Sequence, residues 1–137
     1  MIKQSFYIDK YDWQVTVLYE VDDSDTDSVI SILKLFDANT NIIRVACDNI
    51  INNKYNNGFT YSDLNKHKTL IVVGKATSKG ELINTIVHEA NHLQSHIATK
   101  FNLDEKCEEV CYLIGGIAKT MFKVFNKIIG LSLLINA

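Results

Sequence analysis

His88, Glu89 and His92 stand in the order H-E-x-x-H within TIVHEANHLQSHI, residues 85–97. Residues four apart share one face of an α-helix, so both imidazoles can point at a single ion. Zinc takes neutral imidazole nitrogens at about 2.0–2.1 Å, a reach that one helical turn between ligands allows. Glu89, beside the first imidazole, is placed to take a proton from water activated by Zn2+. The pattern predicts a zinc site prepared for hydrolysis. The alternative is a solvated helix face that happens to carry His and Glu, and the surroundings oppose it. Ser78-Lys79-Gly80-Glu81 reads as a capping box that opens a helix. Leu82, Ile86, Leu93 and Ile97, broadened by Val87, then give that helix an apolar stripe.

A catalytic zinc usually takes three protein ligands and keeps one position open. His96 continues the spacing, but on a straight helix it lies about 12 Å along the axis from His88. The longer H-E-x-x-H-x-x-G-x-x-H pattern turns the chain with Gly where this sequence has Ser95, so His96 is expected outside the ligand set. Glu108 and Glu109 fall on a following helix. In an antiparallel hairpin turning near residues 100–102, Glu108 comes within about a turn of the level of His92. Two His and one Glu form a set that zinc hydrolases use. Tyr112 shares the face of Glu108, where its hydroxyl would support an oxyanion; a packed core tyrosine is the equal alternative. Glu108 is preferred as third ligand, with Glu109, His96 and the loop residue His67 left open. Cys107 and Cys111 lack C-x-x-C spacing and would make a closed structural site. Asp104 or Glu105 could orient a ligand imidazole from behind.

Composition bounds the rest. The chain has 137 residues, no proline and an apolar share of 47%, enough for one compact domain over 1–137 with a real core. A net charge of −2 without a basic run gives no reason to expect nucleic acid. The start, MIKQSFYIDKYDW, lacks the apolar stretch of a signal peptide, and 128–135 is far below the roughly 18 residues that span a bilayer, so no membrane partner is expected. Three cysteines (Cys47, Cys107, Cys111) make no even disulfide framework, which suits the cytoplasm. The acidic run from Asp22 to Asp27 imitates a calcium loop. Counted from Asp23, however, Ser28 and Lys34 stand where that loop needs Gly and Glu, so a helix start is expected there.

These residues need elements to hold them. Phe6–Ile8 and Trp13–Val21 read as strands joined by a turn over Asp9–Asp12. The second places Trp13, Val15, Val17 and Tyr19 on one face and Gln14, Thr16, Leu18 and Glu20 on the other. A helix capped by Ser24 or Asp25 runs through Val29, Leu33 and Phe36. Ile42–Ile51 is ambiguous but favours helix, capped by Asn39 or Thr40, with Cys47 in the core. Asn52–Gly58 reads as a loop, Gly58–Tyr61 as a short strand and Thr69–Gly74 as a strand buried on both faces. After the motif helix a break is expected near Phe101–Asp104, with Asp104 capping a helix over about 105–126. Gly115-Gly116 within it suggests close packing or a kink. Ile128–Ile135 is expected to dock as a last turn or short helix. The sum is an α+β domain: a small mixed sheet packed against helices, the H-E-x-x-H helix being followed by a Glu-bearing one.

H-E-A-N-H, a short turn and then E-E-V-C-Y-L-I-G resemble small single-domain zincin-like metallopeptidases of phages and bacterial mobile elements, the gluzincin type with Glu as third ligand. The matched region is about 58–120. The resemblance implies a zinc-dependent hydrolase of peptide bonds, acting on a peptide or protein in the bacterial host cytosol. It also implies that one strand of the sheet lies along the cleft and pairs with an extended substrate, a place that Gly58-Phe59-Thr60-Tyr61 would fill. A catalytically silent zinc-binding module that recognises a partner is the competing expectation, and a metal-free helical interaction module is a third. The sequence leaves the oligomeric state open.

Overall fold

The computed structural model describes residues 1–51 and 58–136, with side chains through residue 130; the loop expected over 52–57 lies outside the described residues. In chain order the elements are β1 (Ile2–Ile8), β2 (Trp13–Val21), α1 (Thr26–Leu35), α2 (Thr40–Ile51), β3 (Phe59–Asp63), β4 (Lys68–Gly74), α3 (Lys79–Phe101), α4 (Glu108–Phe122) and α5 (Phe125–Asn136). The sheet has the order β1-β2-β4-β3, with β2 and β4 parallel and the outer pairs antiparallel. This is the mixed α+β architecture that the patterning implies.

Strand alternation sorts the core into two layers. Trp13, Val15, Val17 and Tyr19 of β2, with Ile71 and Val73 of β4, pack against Leu82, Ile86, Leu93 and Ile97 of α3 and Leu113, Ile117 and Met121 of α4. Leu18, Leu70 and Val72 turn the other way, onto Val29 and Leu33 of α1 and Ala46 and Ile50 of α2. Successive strand side chains point to opposite faces, so a sheet covered on both sides needs apolar residues in both registers. β4 meets this most fully and is buried from Thr69 to Gly74.

Several boundaries differ from expectation for local reasons. β1 begins at Ile2 rather than Phe6, because the polar Gln4 faces inward with partners. Its amide donates to the Thr120 carbonyl at 2.7 Å and its carbonyl accepts from the Tyr19 hydroxyl at 2.7 Å. Asp25 stands at the N-cap of α1, as expected, though its side chain makes no cap bond there; Asp22 caps the 3-10 turn Asp23–Asp25 before it, accepting from the Ser24 amide at 2.9 Å. Asn39 caps α2, accepting from the Ile42 amide at 2.9 Å. Asp104 closes a turn instead of capping a helix, since the Cys107 amide donates to its carbonyl at 3.0 Å and delays α4 to Glu108. α4 then stops at Phe122, where its last turn tightens through Lys123 N to Thr120 O at 3.2 Å and Val124 N to Met121 O at 3.3 Å. Val87 is exposed, outside the stripe it was expected to broaden. A Cβ built on Gly115 or Gly116 would meet nothing within 4 Å, so close helix packing does not account for them. Among the described residues, no helix is long and apolar enough to cross a membrane.

Candidate metal centre

α3 is held at both ends. The Ser78 hydroxyl accepts from the Glu81 amide at 3.1 Å, and the Glu81 carboxylate accepts from the Thr77 hydroxyl. At the other end Asn102 adopts the left-handed conformation, with φ 53°, that ends helices. Between these caps, His88 and His92 bring their Nε2 atoms to 3.1 Å, with ring centroids 4.7 Å apart and planes crossing at 76°. Two imidazole nitrogens bound to one tetrahedral zinc would lie about 3.3 Å apart. The spacing suits a direct hydrogen bond between the rings and is close to what a shared ion would need.

Glu89 faces inward and is 1% exposed, with Oε1 4.0 Å from His88 Nε2. Its Oε2 accepts a hydrogen bond from the Thr60 hydroxyl at 2.5 Å. Two residues along β3, Ser62 lies 2.6 Å from His96 Nδ1 and 2.7 Å from the Thr69 hydroxyl, which accepts from Trp13 Nε1 at 2.8 Å. Thr60 and Ser62 share one face of the strand, so β3 presents two hydroxyls to the polar side of α3. Burial pushes the His96 imidazole below its usual range, and neighbouring His92 lowers it further. β3 is a sheet edge, and among the described residues its outer side has no strand partner. Neither hydroxyl was singled out from the sequence. The signal was there, in the T-x-S alternation of a short strand preceding the motif.

The other candidates take different places. Among the described residues, no three His, Cys, Asp or Glu side chains form a group that could hold a metal as they stand, so Glu108 is not joined to His88 and His92. Glu108 is exposed in the first turn of α4, without a hydrogen bond or ion pair among the described residues. Glu109 belongs to the opposite edge of the sheet, where Lys10 Nζ lies 3.0 Å away and the Tyr11 hydroxyl donates to it. Those two bonds, Tyr11's first, hold its carboxyl below the ordinary range, while burial and Glu109 push the Tyr11 hydroxyl up to about 12. Tyr112 is 77% exposed, which rules out a core role, and it lines a cavity with Phe6 to Tyr11 instead of standing over the imidazoles. His67 stacks on Trp13 at 4.9 Å and 9°. Glu105 reaches α3 through Ser95, which donates to it at 2.6 Å, and Cys47, Cys107 and Cys111 are free thiols.

No family model, curated protein or solved structure matches this chain.

Proposed function

We propose that the chain is a zinc-dependent metallopeptidase-like hydrolase of zincin type, acting on a peptide or protein in the cytoplasm. The observation that carries this reading is the convergence of His88 and His92 Nε2 at 3.1 Å beside the buried Glu89 carboxylate. His88 and His92 would hold the ion; Glu108, the carboxylate expected from the sequence, stands apart from them in this structure and would have to approach to complete the set. Zinc, when bound, supplies a Lewis acid and makes water acidic enough to deprotonate near neutral pH. Glu89 takes the proton from the attacking water and delivers it to the leaving amine as the carbonyl carbon gains oxygen and the C–N bond breaks. Thr60 holds Glu89 in place through Oε2 and leaves Oε1 for that proton. The outer side of β3, which has no strand partner among the described residues, is where backbone N–H and C=O groups would meet an extended peptide, next to the base. The free thiols agree with a reducing compartment.

The test is cleavage of a peptide library by the zinc-loaded protein against Glu89→Gln. Loss of a general base is expected to slow cleavage by about 10²–10⁴-fold with zinc still bound. Zinc binding with no cleavage by either protein would overturn the hydrolase and leave a zinc-binding module that recognises a partner.

A further inference from the structure

The cavity that Tyr112 lines lies at the sheet edge opposite β3, between β1, the turn that follows it and α4. Its volume is about 490 Å³, within the range of small-ligand sites. None of His88, Glu89 and His92 lines it. Phe6, Ile8, Leu113 and Ile117 make its body apolar. Gly116 lines it too, and neither a positive φ nor a close neighbour demands glycine there. Glycine in a helix interior costs about 1 kcal/mol relative to alanine. What its missing side chain provides is open space in the cavity.

The mouth has a definite chemistry. The Glu109 carboxylate faces it, and an ammonium already occupies the place beside that carboxylate. Lys10 Nζ stands 3.0 Å from Glu109 and 5.8 Å from the centroid of the Tyr11 ring. The Lys10 side chain is 66% exposed, and ion pairs this open to water are weak enough to exchange. Tyr7 and Tyr112, 48% and 77% exposed, add two aromatic faces at the rim. Asp9 supplies a second carboxylate, so acids outnumber bases among the lining residues. Aromatic faces combined with a carboxylate are the means by which proteins recognise ammonium groups.

We propose that this cavity binds a small ligand with an ammonium head and an apolar body. The ammonium displaces Lys10 from Glu109 and sits over Tyr11, and the body rests on Ile117 in the space left by Gly116. The proposal is independent of the zinc reading, since it shares no residue with His88, Glu89 or His92.

Phenethylammonium is the probe, titrated calorimetrically against the full chain, with 2-phenylethanol as its neutral counterpart. Saturable binding of the amine is expected, at least about tenfold weaker in Glu109→Gln because a charge-assisted hydrogen bond is lost. It should be undiminished or tighter in Lys10→Ala and abolished in Gly116→Leu, which fills the cavity. Absence of saturable binding, equal affinity for the alcohol, or binding unchanged in Glu109→Gln would each overturn the proposal. Should Gly116→Leu fail to fold, the alcohol and Glu109→Gln still settle it.

Discussion

The Thr60 hydroxyl donates to the buried Glu89 carboxylate at 2.5 Å and so ties the edge strand to the helix that carries the paired imidazoles. A carboxylate 1% exposed that loses its donor keeps its desolvation penalty without compensation. Thr60→Val preserves shape but removes the hydroxyl, and it should destabilise the fold by about 1–3 kcal/mol in urea unfolding. Thr60→Ser should stay near wild type. A silent Thr60→Val would mean that the hydrogen bond does not hold Glu89.

Gly58 enters β3 at φ 140°, and a Cβ there would stand 2.2 Å from the Val72 carbonyl oxygen of the neighbouring strand. Strain of this kind costs on the order of 1–3 kcal/mol before the clash is added. Gly58→Ala should therefore lower the melting temperature and strip hydrogen-exchange protection from β4 amides facing β3, leaving those between β2 and β4 protected.

Gly115 lies exposed in α4 with nothing within 4 Å of an added Cβ. Gly115→Ala should stabilise the chain by about 1 kcal/mol, the difference in helix propensity. A loss of stability would show that the glycine serves a contact or motion absent from this structure.

Asp22 is held down to about 2 from an ordinary value of 3.8, first by its hydrogen bond to Lys75 and then by Ser24. A carboxyl with a depressed folded value binds protons more readily when unfolded, so its contribution is complete above pH 3.8 and fades as pH falls towards 2. Asp22→Asn should flatten the decline in melting temperature across that window. An identical acid limb in the variant would remove Asp22 from the account.

Patterning carried the fold a long way because it reports burial directly. The alternation in WQVTVLYEV, the buried run of β4 and the stripe from Leu82 to Ile97 all follow from which side chains must leave water. Tertiary partners were invisible to the same reading. The strand at Ile2–Gln4 depends on Thr120 and Tyr19, far away in sequence. Within the candidate site, helical spacing alone brings His88 to His92. Spacing says nothing of how α4 is rotated against α3, and that rotation sends Glu109 and Tyr112 to the opposite edge of the sheet. Strand alternation declares the face on which the Thr60 and Ser62 hydroxyls lie, not the helix that will cover it.

A zinc ion shared by His88 and His92 is the core of the proposed site. Its most direct test is metal content after the chain is supplied with zinc and desalted, for wild type, His88→Ala, His92→Ala and Glu108→Ala, with folding checked by circular dichroism. About one zinc per chain is predicted in wild type and none in either histidine variant, as expected for a site built on two imidazoles. Loss in Glu108→Ala as well would identify the third ligand, and retention would remove Glu108 from that role. A wild-type chain that is folded yet keeps no zinc, or histidine variants that keep it in full, would contradict the account.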